Sequence, residues 1–126
     1  MTQMKLMERE GRQLVNGYGP EGFRVSGVTY DSTVLVHPKR SIAFDIQTLD
    51  ALSTDHLTSL VDGDEKTEIL LLGCGKSMQF VPDIISKGLA LVGVAVDPMD
   101  SAAAARTYNM LMMEDRRVAA LLFPMI

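Results

Sequence analysis

Strand-like and helix-like segments alternate through residues 68–123, and this alternation restricts the possible folds more than any other feature of the chain. Three short apolar runs, at residues 68–73, 91–96 and 117–123, have the length and composition of buried strands. Helix signals stand between them: Pro82 suits a first turn that Gly88 would end, and Asp100 or Ser101 can cap a helix to about residue 114. Because this order requires right-handed crossovers, it predicts an α/β fold with a mainly parallel sheet.

The first half of the chain has a composition and pattern typical of β-strands. Glycines and a proline divide residues 14–45 into short runs rich in Val, Thr, Phe and Tyr. The runs at 28–30 and 33–36 flank Asp31-Ser32 and predict a hairpin, and residues 42–46 alternate as a half-buried strand does. Further on, Thr54 or Asp55 can cap a short helix that Gly63 ends. The length of 126 residues then predicts one domain over residues 14–126, behind a flexible N-terminus at residues 1–13.

Charge and cysteine content exclude several classes of protein. The formal net charge is −4 and no basic stripe is visible, which argues against nucleic acid as a partner. A single cysteine rules out an intramolecular disulfide and favours a reducing compartment. The first residues mix acids and bases without an apolar core, and the longest apolar run, residues 89–96, is too short for a membrane span. We therefore expect a soluble, cytoplasmic protein.

The first of these strands ends in a glycine turn, Gly73-Cys74-Gly75-Lys76, which is where α/β proteins often place their chemistry. A phosphate-binding loop would need a glycine where the chain has Leu70, and a dinucleotide fingerprint would need one where it has Met78. Lys76 could lower the pKa of Cys74, but a cysteine nucleophile also needs a base. The sequence brings neither His37 nor His56 close to Cys74, and no ligand spacing relates these three residues. We expect a structural turn, with no catalytic residue, metal or cofactor.

A ligand cleft is the alternative for the same region. Ligands of open α/β sheets bind outside the carboxyl ends of the strands, where residues 73–76 and 97–101 are expected to meet. Arg106 and Asn109, three residues apart on the last helix, can share a face beside them. The candidate cleft residues are Gly73, Cys74, Gly75, Lys76, Asp97, Arg106 and Asn109.

Surplus apolar residues near the end of the chain indicate a contact surface. Met110, Met112 and Met113 cannot all point into one core, because consecutive helical residues diverge by about 100°. The final strand would present an exposed edge unless it gained a neighbour on each side. Met110, Met113 and Phe123 are the candidate interface residues, for self-association or for a protein partner.

Several segments of the second half resemble a known family in the order in which they occur. These are residues 70–75, Gly93, residues 105–111 and residues 117–124, with support from residues 23–25 and 34–38. The chain is similar to mitochondrial complex I assembly factor 3 and its uncharacterised bacterial and archaeal relatives. The resemblance implies a three-layer α/β domain with a mixed central sheet and an additional N-terminal β layer. It implies a role in respiratory complex I assembly for eukaryotic members and brings no catalytic residues.

Two functions follow from these observations. The resemblance, the spare methionines and the lack of a catalytic constellation favour a non-enzymatic assembly or adaptor protein, whose partners could be respiratory-complex assembly components. The topology alone supports a small-molecule-binding protein or enzyme that uses the candidate cleft. The two hypotheses differ in whether substitutions in the candidate cleft impair function.

Overall fold

The computed structural model describes residues 10–63 and 66–126 of the chain. The strands in this part are β1 (Val15–Gly19), β2 (Gly22–Val25), β3 (Val28–Tyr30), β4 (Thr33–Val36), β5 (Ser41–Phe44), β6 (Ile69–Gly73), β7 (Ala95–Met99) and β8 (Val118–Leu122). The α-helices are α1 (Asp83–Ala90) and α2 (Ser101–Met113), and two 3₁₀ segments cover Leu49–Ala51 and Thr54–Val61. No helix in the described ranges is long and apolar enough to cross a membrane.

Five strands form the central sheet in the order β5-β4-β8-β6-β7. The β8-β6-β7 half is parallel, as the strand–helix alternation predicts, and β4 pairs antiparallel with both β5 and β8. The sheet is therefore mixed, and its four pairings divide evenly between the two directions. β8 has a neighbour on each side, so the final strand is central and the edges belong to β5 and β7.

The remaining strands form a separate antiparallel sheet in the order β1-β2-β3. The hairpin predicted at Asp31-Ser32 is wrong, because β3 pairs with β2 whereas β4 pairs with β5 and β8. Burial gives the reason. All four residues of β4 are buried, which suits an inner strand, while β3 is largely exposed. The chain uses Asp31-Ser32 to pass from one sheet to the other.

Two apolar clusters, one on each face of the central sheet, make the domain three-layered. On one face, α2 and the inner face of the β1-β2-β3 sheet pack around Tyr108, Phe23 and Leu122. On the other face, α1 and the 3₁₀ segments pack around Leu70, Leu60 and Phe123. The α/β fold with a mixed central sheet and an additional N-terminal β layer is thus confirmed.

The boundary between α1 and β7 differs from the prediction. The helix runs through Gly88, and the apolar residues 91–94 form its C-terminal turn instead of a strand. Gly93 has φ +82°, and the Gly93 and Val94 amides donate to the carbonyls of Ala90 (3.1 Å) and Leu89 (2.9 Å). These are the two hydrogen bonds of a Schellman motif, which needs a left-handed residue. Gly93, not Gly88, ends the helix, and β7 begins only at Ala95.

Smaller differences occur elsewhere. The short helix expected at residues 54–61 is a 3₁₀ segment whose N-cap is Ser53 rather than Thr54 or Asp55. Of the flexible N-terminus expected at residues 1–13, residues 1–9 lie outside the described ranges. Within the remainder, Arg12 forms an ion pair with Asp115 (2.9 Å), and the Gln13 amide donates to the Pro38 carbonyl (2.8 Å). The domain boundary at residue 14 stays a prediction.

Candidate functional site

The glycine turn after β6 is held against the first turn of α2. A Cβ atom at Gly73 would lie 2.9 Å from Cα of Ser101 and 3.1 Å from Cδ2 of Leu122, so a side chain there would displace backbone. Gly75 has φ +93°, a conformation that residues with a side chain rarely adopt. The two glycines are required for different physical reasons: close approach at Gly73 and backbone conformation at Gly75.

Ser101 joins the turn to the end of β8. Its hydroxyl accepts a hydrogen bond from the Gly75 amide (2.8 Å) and donates one to the Phe123 carbonyl (2.7 Å), and its own amide donates to the Gly75 carbonyl (2.8 Å). Ser101 is fully buried, whereas the neighbouring Asp100 caps α2 by accepting from the Ala103 amide (2.8 Å). The sequence offered both residues as caps. It gave no sign that Ser101 ties three elements together.

Cys74 lies inside the apolar cluster that α1 covers. Only 6% of the residue is exposed, and Sγ is within 3.5 Å of the Leu72 carbonyl oxygen, to which the thiol donates. Neither histidine lines the concavity beside it. Among the described residues, no group of three or more His, Cys, Asp or Glu could hold a metal ion. The surroundings are those of a small apolar residue in a tight turn.

We predict that Cys74→Ala lowers the free energy of unfolding by about 1 kcal/mol, the cost of a small buried cavity. The variant should complement a strain lacking the protein as well as wild type does. Complementation and a denaturation curve, run on the same variant, make the test. Failure to complement at an unchanged melting temperature would show that the thiol has a chemical role.

A concavity of about 440 Å³ opens at the glycine turn. Cys74, Gly75 and Lys76 line it, together with residues 47–50, Ser77, Gln79, Phe123, Pro124 and Ile126. Lys76 is exposed. Of the seven candidate cleft residues, only these three contribute to its wall, and Gly73 lies buried directly before them.

Asp97 lies away from this concavity because β7 extends beyond it. Its register partner on β6 is Leu71, and the residue opposite Gly73 is Met99. The exposed Asp97 is therefore two residues short of the sheet end. Two residues of the 97–101 segment do contact the glycine turn, as expected. The Met99 carbonyl accepts a hydrogen bond from the Cys74 amide (2.8 Å), and the Ser101 amide donates one to the Gly75 carbonyl (2.8 Å).

Arg106 and Asn109 do share a face of α2, but that face points toward β1. The Asn109 side chain accepts a hydrogen bond from the Val15 amide (3.0 Å) and donates one to the Val15 carbonyl (2.8 Å). Arg106 donates to the hydroxyl of Tyr18 (2.9 Å). The intervening Tyr108 donates to the Gln13 carbonyl (2.8 Å), and burial raises the pKa of its phenol far above the ordinary value. These residues fasten the N-terminal sheet to α2.

The candidate interface residues differ in exposure. Met110 is 53% exposed, while Met113 is partly buried against the core. Phe123 is only 3% exposed and packs under the central sheet. Met110 is therefore the one of the three that presents most of its side chain to solvent.

A second concavity lies at the opposite end of the central sheet, where β6 and β8 begin, and has a volume of about 510 Å³. We call it the basic pocket. Its wall is formed by Arg12, His37, Pro38, Lys39, Arg40, Ser59, Asp62, Gly63, Thr67, Asp115, Arg116, Arg117 and Val118. None of these residues was among the candidate cleft or interface residues, because the wall combines short segments that are far apart in the chain.

His37 lies in the wall of the basic pocket. It is 7% exposed, and its Nε2 is 3.0 Å from Oγ of Ser59. Burial, and then the positive charge of Arg40, lowers the pKa of His37 to about 4. At neutral pH the imidazole is therefore uncharged, and the positive charge of the pocket comes from arginine and lysine alone.

Comparison with known proteins identifies relatives over nearly the whole domain. The family described as "Protein of unknown function (DUF498/DUF598)" matches residues 15–123. An uncharacterised protein of Rhodobacter capsulatus is 33% identical over 111 residues, which are 88% of this chain and 84% of that protein. The NADH dehydrogenase [ubiquinone] 1 alpha subcomplex assembly factor 3 of Danio rerio is 26% identical over 125 residues, 98% of this chain and 72% of that protein.

A solved structure agrees with the fold. The crystal structure of a Bordetella parapertussis protein superimposes with a TM-score of 0.81 at 30% identity, covering 90% of this chain and 97% of that one. The resemblance to the assembly factor 3 family is thus confirmed.

Proposed function

We propose that this chain, which belongs to the DUF498/DUF598 family of unknown function, is a non-enzymatic adaptor that assists the assembly of NADH dehydrogenase. The name of the Danio rerio relative supports this proposal, since that protein is described as an assembly factor of the same complex. An assembly factor acts by binding protein partners, and it therefore needs a surface that a partner can cover.

The observation that carries the proposal is the exposed apolar surface around α1. Phe80 is 90% exposed, Ile84 75% and Leu91 88%. Ile84 and Leu91 are seven residues apart, so they share one stripe of the helix and its C-terminal turn, and Phe80 precedes that helix. Met78 and Val92, each about half exposed, lie close in the chain to Phe80 and Leu91. Apolar side chains exposed as a group, rather than singly, are typical of interaction sites.

The edge strand beside α1 favours docking on the helix over strand addition. β7 pairs only with β6, so its other side has no strand partner among the described residues. It contains Pro98, which lacks an amide donor, and the exposed charge of Asp97. Both features discourage pairing with a foreign strand. The expected partner presents an apolar face to Phe80, Ile84 and Leu91.

Capture of the partner tests the proposal. Tagged chain recovered from the cytosolic fraction of its own cells should bring down subunits or assembly intermediates of NADH dehydrogenase. Leu91→Asp should reduce this recovery at least about tenfold, a loss of about 1.4 kcal/mol in binding. Because Leu91 is almost fully exposed, its replacement should lower stability by at most about 1 kcal/mol, the cost of an acid near a helix C-terminus.

Met110→Asp is the matched control, since Met110 is an exposed apolar residue on α2. Equal recovery with wild type and Leu91→Asp would refute a partner on α1. If Met110→Asp alone abolished recovery, the interface would be the methionine surface of α2. Light scattering on the same variants would then separate self-association from binding of another protein.

A second candidate is a small-molecule-binding function at the glycine turn. The concavity of about 440 Å³ next to Cys74, Gly75 and Lys76 favours it, since such volumes suit small ligands. Lys76→Ala distinguishes the two functions. An adaptor should capture its partner unchanged, whereas a ligand-dependent protein should lose function in cells at an unchanged melting temperature.

A further inference from the structure

The basic pocket concentrates positive charge in a chain whose net charge is −4. Among the described residues of its wall, five side chains are cationic and two are carboxylates. The cations are Arg12, Lys39, Arg40, Arg116 and Arg117, and the carboxylates are Asp62 and Asp115. His37 adds no charge at neutral pH. The described wall therefore has a net charge of +3, opposite in sign to that of the whole protein.

Among the described residues, two of the arginines in the wall have no acidic partner. Asp115 pairs with Arg12 at 2.9 Å, and Asp62 pairs with Arg40 at 3.7 Å. In the described part of the chain, Arg116 and Arg117 take part in no ion pair, although both line the pocket. Arg116 and Arg117 are consecutive in the chain and both line the concavity, so an anion bound there would reduce the repulsion between their positive charges.

The residue before the two arginines has a backbone conformation that residues with a side chain rarely adopt. Asp115 has φ +60°, one of two residues other than glycine with positive φ in the described ranges. It ends α2 in a Schellman motif, in which the Asp115 and Arg116 amides donate to Met112 (3.0 Å) and Leu111 (3.0 Å). Glycine would adopt this conformation without strain. The chain instead has a carboxylate there, which pairs with Arg12 and competes for it with any bound anion.

We propose that the basic pocket binds a compact, multivalent oxyanion, such as the phosphate or carboxylate groups of a small metabolite. Guanidinium groups match both kinds of oxyanion with paired N–H donors. The volume of about 510 Å³ suits a small molecule. A nucleic acid fits less well, because the rest of the surface is acidic. The site is at the opposite end of the sheet from the glycine turn.

Titration with two anions of different chemistry tests this site. Inorganic pyrophosphate and citrate are added separately to the full-length protein at low ionic strength, and calorimetry and backbone NMR follow binding. At least one anion should bind with one-to-one stoichiometry and shift the amides of Arg116, Arg117 and His37. The preferred anion tells whether phosphate or carboxylate chemistry is recognised.

Three variants separate the site from general charge effects. Arg117→Gln should weaken binding about tenfold, the value of one charge-assisted hydrogen bond. Asp115→Asn removes the competing carboxylate, keeps a residue that tolerates positive φ, and should tighten binding about threefold. Arg106→Gln, which removes an equal charge outside the pocket, should leave affinity unchanged.

Absence of binding of both anions to wild type would overturn the proposal. Equal weakening by Arg106→Gln and Arg117→Gln would also overturn it, because binding would then depend on net charge alone. If the Arg117→Gln variant does not fold, the Asp115→Asn variant still tests the proposal, because an affinity for the anion no higher than that of wild type would contradict it. The result is independent of the adaptor function, since Leu91→Asp should bind the anion as wild type does.

Discussion

Replacing Gly73 by alanine is expected to lower the free energy of unfolding by about 2–3 kcal/mol, the upper range for overpacking a well-filled site. The added Cβ would lie 2.9 Å from Cα of Ser101. Ser101 cannot easily move away, because its hydroxyl and amide make three buried hydrogen bonds to the glycine turn and to Phe123. Thermal or urea denaturation measures the loss, and the melting temperature should fall by roughly 10 °C.

Gly19→Ala provides the matched control. A Cβ at Gly19 would meet nothing within 4 Å, and its φ lies outside the region that favours glycine. This substitution should change stability by no more than about 0.5 kcal/mol. If Gly73→Ala and Gly19→Ala have the same melting temperature, the contact between the glycine turn and α2 is loose enough to admit a methyl group. Our explanation of Gly73 would then be wrong.

Asn109→Ala should cost about 2–3 kcal/mol of stability. The side-chain amide is bonded to both the amide and the carbonyl of Val15, a residue that is only 4% exposed. β1 is irregular between Val15 and Gly17, so the adjacent ladder is interrupted there. Truncation leaves two shielded backbone groups without a partner, and each such group costs about 1–3 kcal/mol. Urea denaturation gives the loss, and hydrogen exchange at the Val15 amide shows where it arises.

Asn109→Asp checks the mechanism through pH. A protonated carboxyl can accept from the Val15 amide and donate to the Val15 carbonyl, whereas a carboxylate cannot donate. The folded state should therefore raise the pKa of the introduced group above its unfolded value of about 3.9. Stability relative to wild type should be best preserved below that value and be lost as pH rises through the folded-state pKa. A difference that is the same at all pH values would contradict a two-bond role for Asn109.

The sequence predicts the elements of the second half well because β6 and β8 are buried on both faces. Such strands appear as continuous apolar runs with sharp ends, such as residues 69–73 and 118–122. The order of the strands in the sheet is harder to predict from the sequence. The hairpin at Asp31-Ser32 satisfied local turn rules, yet the pairing of β4 depends on β8, which lies more than eighty residues away in the chain.

The helix end at residues 91–94 shows how composition can mislead. Leu91, Val92 and Val94 look like a strand, but Gly93 allows a left-handed turn whose hydrogen bonds satisfy the end of α1. Leu91 and Val92 are then left on the surface, beside the other exposed apolar side chains of α1. Leu91 and Val92, which were wrongly predicted to lie in a strand, therefore belong to the surface that we propose binds a partner.

Spacing alone also could not reveal what the candidate site residues contact. Arg106 and Asn109 share a helix face as expected, but the neighbour of that face is β1, from the beginning of the domain. The basic pocket likewise combines Arg12, residues 37–40 and residues 115–118, which only the folded chain brings together. A motif search reads contiguous residues and therefore misses such a wall.

The position of β8 between β4 and β6 has a consequence for biosynthesis. Until residues 118–122 have been translated, the pairs β4-β5 and β6-β7 cannot join, and each presents an open inner edge. Contacts between distant parts of the chain form slowly, and unpaired strand edges are prone to aggregate in the meantime. The central sheet can therefore be completed only after β8 has been synthesised, because that one strand joins the two pairs.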